Sequence, residues 1–125
     1  MADHMRTELV VSALKMAWGR RRPALGLICH SDRGSQYTAH HYQALLADYD
    51  MLASMSRKGD CWDNAVMERF FGSLKSEWTE TQRYETREQA RRDIIRYIEM
   101  EYNSQRLHST LGYKTPREME LAAVA

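Results

Sequence analysis

A short apolar segment with turn-forming residues at both ends constrains the fold of this chain more than any other feature. Residues 24–29 follow Pro23 and lead into a polar run over residues 29–37. An apolar run of this length is typical of a buried strand with helices on its faces. Residues 51–56 alternate moderately between apolar and polar and predict a second strand. Because a helical pattern separates the two segments, we expect parallel strands joined by a helix.

Helical spacing predicts an amphipathic segment on each side of these strands. The first helix is expected to begin at Thr7, to run to about Trp18 and to end at Gly19, a residue type common at helix C-termini. The connecting helix should turn four large side chains inward, namely Tyr42, Leu45, Leu46 and Tyr49.

Three more helices are predicted towards the C-terminus. One covers residues 65–79, with an apolar stripe formed by Val66, Phe70, Leu74 and Trp78. The other two begin at capping boxes, Thr86 with Gln89 and Thr115 with Glu118, and the last ends near Ala122. These elements make the predicted fold class a helix-rich α/β fold with about two parallel strands and five to six helices.

Composition limits the choice of function. A chain of 125 residues has room for one domain with a modest core, and its net charge of +1 means that any nucleic-acid surface must be a local patch. No apolar run approaches the length that spans a bilayer. Cys29 and Cys61 form no recognisable zinc-ligand spacing with His30, so we expect inert cysteines in a reduced cytoplasm.

Two carboxylates are placed where chemistry is expected. Asp32 follows the first strand, and ligands of open α/β sheets bind beyond the carboxyl ends of the strands. Glu68 lies in the first turns of the helix over residues 65–79, and Lys75 follows seven positions later on the same face. A carboxylate pair suits divalent-metal and phosphate chemistry. The alternative is an ordinary surface Glu and Lys on an amphipathic helix.

Two further segments leave their roles open. The basic loop over residues 57–60 contacts a DNA backbone or is a plain solvated loop. Asn103, Arg106 and His108 either attach the last segment to the core or reach DNA. The arginines between residues 87 and 96 alternate with acidic residues, which favours a solvated, ion-paired face.

Three separated blocks carry a resemblance to a known family. They read HSDRGSQY at residues 30–37, SRKGDCWDNAVMERFFGSLKSE at 56–77 and YNSQRLHSTLGYKTPREME at 102–120. Their order and spacing resemble the C-terminal part of the catalytic core of insertion-sequence transposases, whose core is similar to that of retroviral integrases. The resemblance covers residues 6–121.

This resemblance implies a truncated ribonuclease H-like fold and an Asp-Asp-Glu triad that binds two Mg²⁺ or Mn²⁺ ions. Asp32 matches the second aspartate, Glu68 the glutamate and Lys75 the basic residue beyond it. The first aspartate has no counterpart, because Asp3 alone precedes Asp32 and its surroundings do not form a strand. The implied parent activity is DNA-strand cleavage and transfer by two-metal phosphoryl transfer. We expect this fragment to be inactive alone, with weak or absent metal binding.

The resemblance also implies partners and boundaries. Residues 1–5 are interpreted as a cloning scar and residues 6–122 as a single, partial integrase-type domain. The predicted DNA contacts are Lys75, Arg33, Arg57, Lys58 and Arg69. Uncovered sheet edges predict a homodimer or a domain-swapped oligomer. No membrane partner is expected, and the expected location is the bacterial cytoplasm, in association with the nucleoid.

Two other functions compete with the transposase core. The first is a non-enzymatic remnant that acts as a self-associating or DNA-binding module. The second is a ribonuclease H-like nuclease or junction resolvase, which shares the carboxylates but leaves the block LGYKTPRE unexplained.

Overall fold

The computed structural model describes residues 1–58 and 61–124, and all their side chains except those of Cys61, Trp62 and Val124. Its α-helices and strands follow in the order α1 (Thr7–Arg21), β1 (Ile28–Ser31), α2 (Ser35–Thr38), α3 (His40–Asp48), β2 (Leu52–Met55), α4 (Ala65–Glu77), α5 (Arg87–Arg96) and α6 (Pro116–Val124). Short 3₁₀ turns cover Cys61–Asn64, Thr79–Thr81 and Ser109–Leu111, and a π-helix covers Tyr97–Tyr102. The predicted helix-rich α/β fold is confirmed.

The two strands pair in parallel, with Ile28 opposite Leu52 and Ser31 opposite Met55. The chain passes from β1 to β2 through α2 and α3, so the predicted connection is confirmed. The predicted first strand begins too far towards the N-terminus, since residues 24–27 do not belong to β1. Gly26 adopts a φ of +81° and its N–H donates to the Asp50 carbonyl at 2.7 Å, which makes this stretch a turn.

The expectation that both faces of the first strand are buried is wrong. Ile28 and Leu52, which pair across the sheet, are 64% and 58% exposed. On the opposite face Cys29 packs against a core cluster built from α1 and α3, formed by Val11, Leu14, Tyr42 and Leu46. Tyr42 and Leu46 therefore face inward as predicted, and the sheet is left with an exposed apolar face.

Helix α1 passes through the residue predicted to end it. Gly19 lies inside the helix, which continues to Arg21 and ends where Arg22 takes a left-handed conformation, φ 44°. The Arg22 N–H donates to the Trp18 carbonyl, and its guanidinium lies 3.9 Å from the centre of the Trp18 ring. Thr7 is the first helical residue and not the cap, a position held by Arg6 without a side-chain bond.

By their internal contacts the residues fall into two compact units, Met1–Arg69 and Phe70–Ala125. The first contains the sheet and the core cluster described above. The interpretation of residues 1–5 as a cloning scar and the single domain over residues 6–122 stay predictions.

The second unit contains both predicted capping boxes. Thr86 accepts from the Gln89 N–H at 3.1 Å and the Gln89 side chain accepts from the Thr86 N–H, while Thr115 and Glu118 exchange the same pair of bonds. Leu74 and Tyr97 are buried in this unit.

The predicted apolar stripe of α4 is only partly correct. Leu74 is buried, but Val66, near the start of the helix, is 80% exposed. The helix also ends at Glu77, two residues before the predicted end.

Candidate functional site

Asp32 lies immediately beyond the carboxyl end of β1, where the sequence places it. Its Oδ1 accepts a hydrogen bond from the Gly34 N–H at 2.7 Å, which folds the loop back on the carboxylate. A Cβ built at Gly34 would lie 2.9 Å from that same Oδ1 and 2.8 Å from the Gln36 Nε2. A side chain at position 34 would therefore displace the ends of the Asp32 and Gln36 side chains, whereas with glycine the exposed Asp32 carboxylate keeps its bond to the Gly34 N–H.

Ser56, one residue past β2, is the buried junction of this site. It is only 4% exposed, and its N–H donates to the Ser31 carbonyl at 2.9 Å. Its carbonyl accepts from the Arg33 Nε at 2.8 Å, and its Oγ accepts from the Asn64 Nδ2 at 3.3 Å. Sequence reasoning missed this role of Ser56 and Asn64, since a single serine after a strand carries no pattern.

Glu68 lies in the first turn of α4, as predicted, and it is exposed. A carboxylate there is favoured by the positive end of the helix dipole. Lys75 lies in the last turn of the same helix and is exposed too, which suits a cation at the negative end. Asp32 and Glu68 both belong to the unit Met1–Arg69.

The predicted DNA-binding residues are all exposed, and two of them make contacts within the protein. Arg33 binds the Ser56 carbonyl through Nε. The backbone N–H and the Nε of Arg57 donate to the Asp63 Oδ2 at 2.9 and 3.5 Å, and these bonds lower the pKa of the Asp63 carboxyl. Lys58 and Arg69 are exposed.

Part of one prediction lies outside the described residues. The basic loop was predicted over residues 57–60, and Gly59 and Asp60 are not described. The roles of Lys75, Arg33, Arg57, Lys58 and Arg69 in DNA binding stay predictions.

The donor chemistry at Asp32 and Glu68 suits a hard cation such as Mg²⁺, which prefers carboxylate oxygen. Within residues 1–58 and 61–124 no group of three or more His, Cys, Asp or Glu side chains is arranged to hold a metal ion. In this part of the chain a cation would therefore find no more than two side chains of these four types together, whereas Mg²⁺ takes six ligands.

The C-terminal residues whose roles were left open make contacts within the second unit. Arg106 forms a two-point ion pair with Glu77, and the Asn103 carbonyl accepts from the Arg117 N–H at 2.9 Å. The His108 ring packs edge-on against Tyr102 with a centroid distance of 5.2 Å. For all three residues the observed contacts attach the last segment to the rest of the unit.

An open cavity of about 350 Å³ lies beside this ion pair, and aromatic rings form much of its wall. Its lining residues are Glu77, Trp78, Tyr97, Glu101, Tyr102, Gln105 and Arg106. Two acidic side chains against one arginine make this wall slightly negative, so it does not suit a phosphate group.

Asp93 is a second polar centre that the sequence did not single out. Its Oδ2 accepts from both the Trp78 Nε1 and the Tyr84 hydroxyl, at 2.7 Å each. Its Oδ1 also lies 3.6 Å from the Arg96 Nη2. In the sequence Asp93 is one charge among many on an alternating helix, so no local signal distinguishes it.

None of the helices in the described part of the chain combines the length and the apolar content needed to cross a bilayer.

The chain matches protein families over most of its length. Residues 49–116 match a family described as "Integrase core domain", and residues 1–61 match a second family with the same description. The first match includes Glu68 and Lys75, and the second includes Asp32.

Similar full-length proteins come from bacterial insertion sequences. The chain is 44% identical over 120 residues to the transposase for insertion sequence element IS904 of Lactococcus lactis, which covers 96% of this chain and 47% of that protein. It is 48% identical over 116 residues to an uncharacterized 31 kDa protein of insertion element IS600 from Shigella sonnei, covering 93% of this chain and 43% of the relative. For the transposase InsF for IS3A of Escherichia coli K12 the identity is 43% over 121 residues, 96% of this chain and 42% of the relative. The chain spans less than half the length of these relatives.

Proposed function

Because this chain belongs to the integrase core family, we propose that it forms the C-terminal part of the catalytic core of a DNA transposase. One structural observation carries the proposal further. Asp32 lies just past β1, and the segment that leads into the Glu68 helix is bonded to the end of the neighbouring strand through Ser56 and Asn64. Two carboxylates thus come from elements attached to one edge of the sheet, as a shared cation site requires.

The proposed reaction is phosphoryl transfer between DNA strands. A hydroxyl oxygen, from water or a DNA 3′ end, forms a new bond to phosphorus while the bond from phosphorus to a 3′ oxygen breaks. The chemistry that bound Mg²⁺ or Mn²⁺ supplies is activation of the attacking oxygen and stabilisation of the leaving oxygen. Asp32 and Glu68 are the residues of this chain that would hold such ions.

On this proposal, the other residues of the site bind and orient the DNA. Lys75 is exposed in the last turn of α4 and offers an ammonium group to a phosphate. The exposed cations Arg33, Arg57, Lys58 and Arg69 belong to the unit Met1–Arg69 and would contact the DNA backbone as well. Because the net charge is only +1, we expect these particular cations and not a general excess of positive charge to hold the backbone. The protein would act in the bacterial cytoplasm, at the nucleoid where its substrate is.

The chain alone is expected to be inactive. The Asp-Asp-Glu triad that the resemblance implies has three carboxylates. Within residues 1–58 and 61–124 two of them have a match, Asp32 and Glu68. A Mg²⁺-dependent strand-transfer assay should compare this chain with the longer transposase that contains it, on DNA carrying the terminal repeats of its element. Activity in the longer protein alone supports the proposal.

The variants Asp32→Asn and Glu68→Gln, introduced into the longer protein, should abolish strand transfer and leave folding intact. If both variants lose solubility, the two residues are structural instead. If the well-folded longer protein is inactive as well, the chain is better explained as a self-associating or DNA-binding remnant.

A further inference from the structure

We propose that Arg33 and Asn64 are positioning residues that hold the two carboxylates of the site through a single buried residue, Ser56. This inference rests on the proposed function, because it takes Asp32 and Glu68 to share a cation. Neither residue needs to touch the cation or the DNA to act in this way.

The loop that carries Asp32 is bonded to Ser56 on both sides of the carboxylate. Ser31 precedes Asp32, and its carbonyl accepts the Ser56 N–H at 2.9 Å. Arg33 follows Asp32, and its Nε donates to the Ser56 carbonyl at 2.8 Å. The residue before Asp32 and the residue after it are therefore both bonded to the backbone of one residue, Ser56.

The helix that carries Glu68 is bonded to the same point. Asn64 immediately precedes α4, four residues or about one turn before Glu68, and donates to the Ser56 Oγ at 3.3 Å. A second bond lies alongside, since the Arg57 N–H, next in sequence to Ser56, donates to the Asp63 Oδ2 at 2.9 Å. Two successive residues after β2 thus bind the two residues that lead into the helix.

Burial makes Ser56 an effective junction. It is 4% exposed, and its N–H, carbonyl and hydroxyl each have a partner, so water cannot readily replace any one of them. Residues that orient metal ligands without binding the metal typically change metal affinity 10- to 100-fold when they are removed. Because Asp32 and Glu68 are exposed, the attachment of the backbone that carries them limits where the carboxylates can lie.

The test uses Mn²⁺ as the probe on the ¹⁵N-labelled chain. Mn²⁺ broadens the NMR signals of nearby amides, so titration reports which residues surround the ion and with what dissociation constant. In the unmodified chain the amides of residues 32–34 and of the first turn of α4 should broaden together, with one dissociation constant. Arg33→Ala, Asn64→Ala and Ser56→Ala should each weaken this binding about tenfold. The double variant Asn64→Ala/Ser56→Ala should be no weaker than either of its single variants, because both remove the same bond.

A matched control separates positioning from general stability. The Gln43 Nε2 donates to the Tyr37 carbonyl at 2.7 Å, a partly buried hydrogen bond in the same unit that does not involve Ser56. Gln43→Ala should lower the thermal midpoint as much as Asn64→Ala does and leave Mn²⁺ binding unchanged. An equal loss of Mn²⁺ affinity in Gln43→Ala would overturn the proposal.

The remaining outcomes are also decisive. If the unmodified chain shows no joint broadening at Asp32 and Glu68, the shared cation site fails, and this inference fails with it. If joint broadening is present and Arg33→Ala, Asn64→Ala and Ser56→Ala all keep the original dissociation constant, the shared site stands and the positioning role is excluded.

Discussion

Arg106 and Glu77 form a two-point ion pair in which Nη1 lies 2.5 Å from Oε2 and Nη2 lies 2.9 Å from Oε1. The pair joins the last residue of α4 to the segment beyond the π-helix. The bond from Arg106 lowers the pKa of the Glu77 carboxyl, and the same bond raises the pKa of Arg106. The parallel fork geometry makes this the best-formed of the ion pairs described in the chain.

Arg106→Gln should therefore destabilise the chain by about 1 kcal/mol, the upper range for a pair that remains partly exposed. The matched control is Arg91→Gln, because Arg91 makes one longer contact, 3.6 Å, to Glu88. That control should cost roughly 0.3 kcal/mol. Urea unfolding of the two variants measures the difference, and equal losses would mean that the fork geometry adds nothing.

The same pair predicts a pH dependence. Because the pKa of Glu77 is below its ordinary value of 4.5 in the folded chain, its contribution is complete above pH 4.5 and is lost as the pH falls through the folded pKa. The difference in unfolding free energy between the unmodified chain and Glu77→Gln should shrink below pH 4.5. Urea unfolding at a series of pH values from 7 to 3 measures it, and a difference that grows in acid would contradict this explanation.

Gly34→Ala should disturb the Asp32 carboxylate. A Cβ at this position would lie 2.9 Å from the Asp32 Oδ1, so the side chain has to move and its bond to the Gly34 N–H is strained. We expect shifted amide signals at residues 32–36 and weaker Mn²⁺ binding.

Gly19→Ala is the control for this substitution, because among the described residues no atom outside its chain neighbours and the nearby backbone of α1 lies within 4 Å of a Cβ at that position. Replacing a helical glycine by alanine should stabilise the chain by about 0.5–1 kcal/mol and leave Mn²⁺ binding unchanged. Unaltered signals around Asp32 in Gly34→Ala would show that the loop has room to adapt.

The exposed apolar face of the sheet predicts self-association. Ile28 and Leu52 are neighbours across the strands and both are more than half exposed. We expect the chain to form dimers or domain-swapped oligomers that cover this face, as apolar patches and free strand edges favour. Light scattering at increasing concentration should show this, and Ile28→Lys with Leu52→Lys should shift the chain to the monomer. A monomer at high concentration in the unmodified chain would contradict it.

The sequence by itself determined the features that depend on neighbouring residues. The two capping boxes join residues three positions apart, so their patterns predict the bonds seen at Thr86 and Thr115. The parallel strand–helix–strand unit follows in the same way from local periodicity and from the length of the connection. The positions of Asp32 after a strand and Glu68 in the first turn of a helix follow from those elements.

Only the tertiary structure decided which surfaces are covered and which distant groups meet. The apolar run before Asp32 predicts a buried strand, yet Ile28 is exposed, because burial depends on what packs against a strand and not on its composition. Ser56 binds Arg33 across 23 positions and Asn64 across eight, and Asp93 joins Trp78 to Tyr84. Such bonds leave no periodic signal in the sequence, because their geometry exists only after the strands and helices have packed.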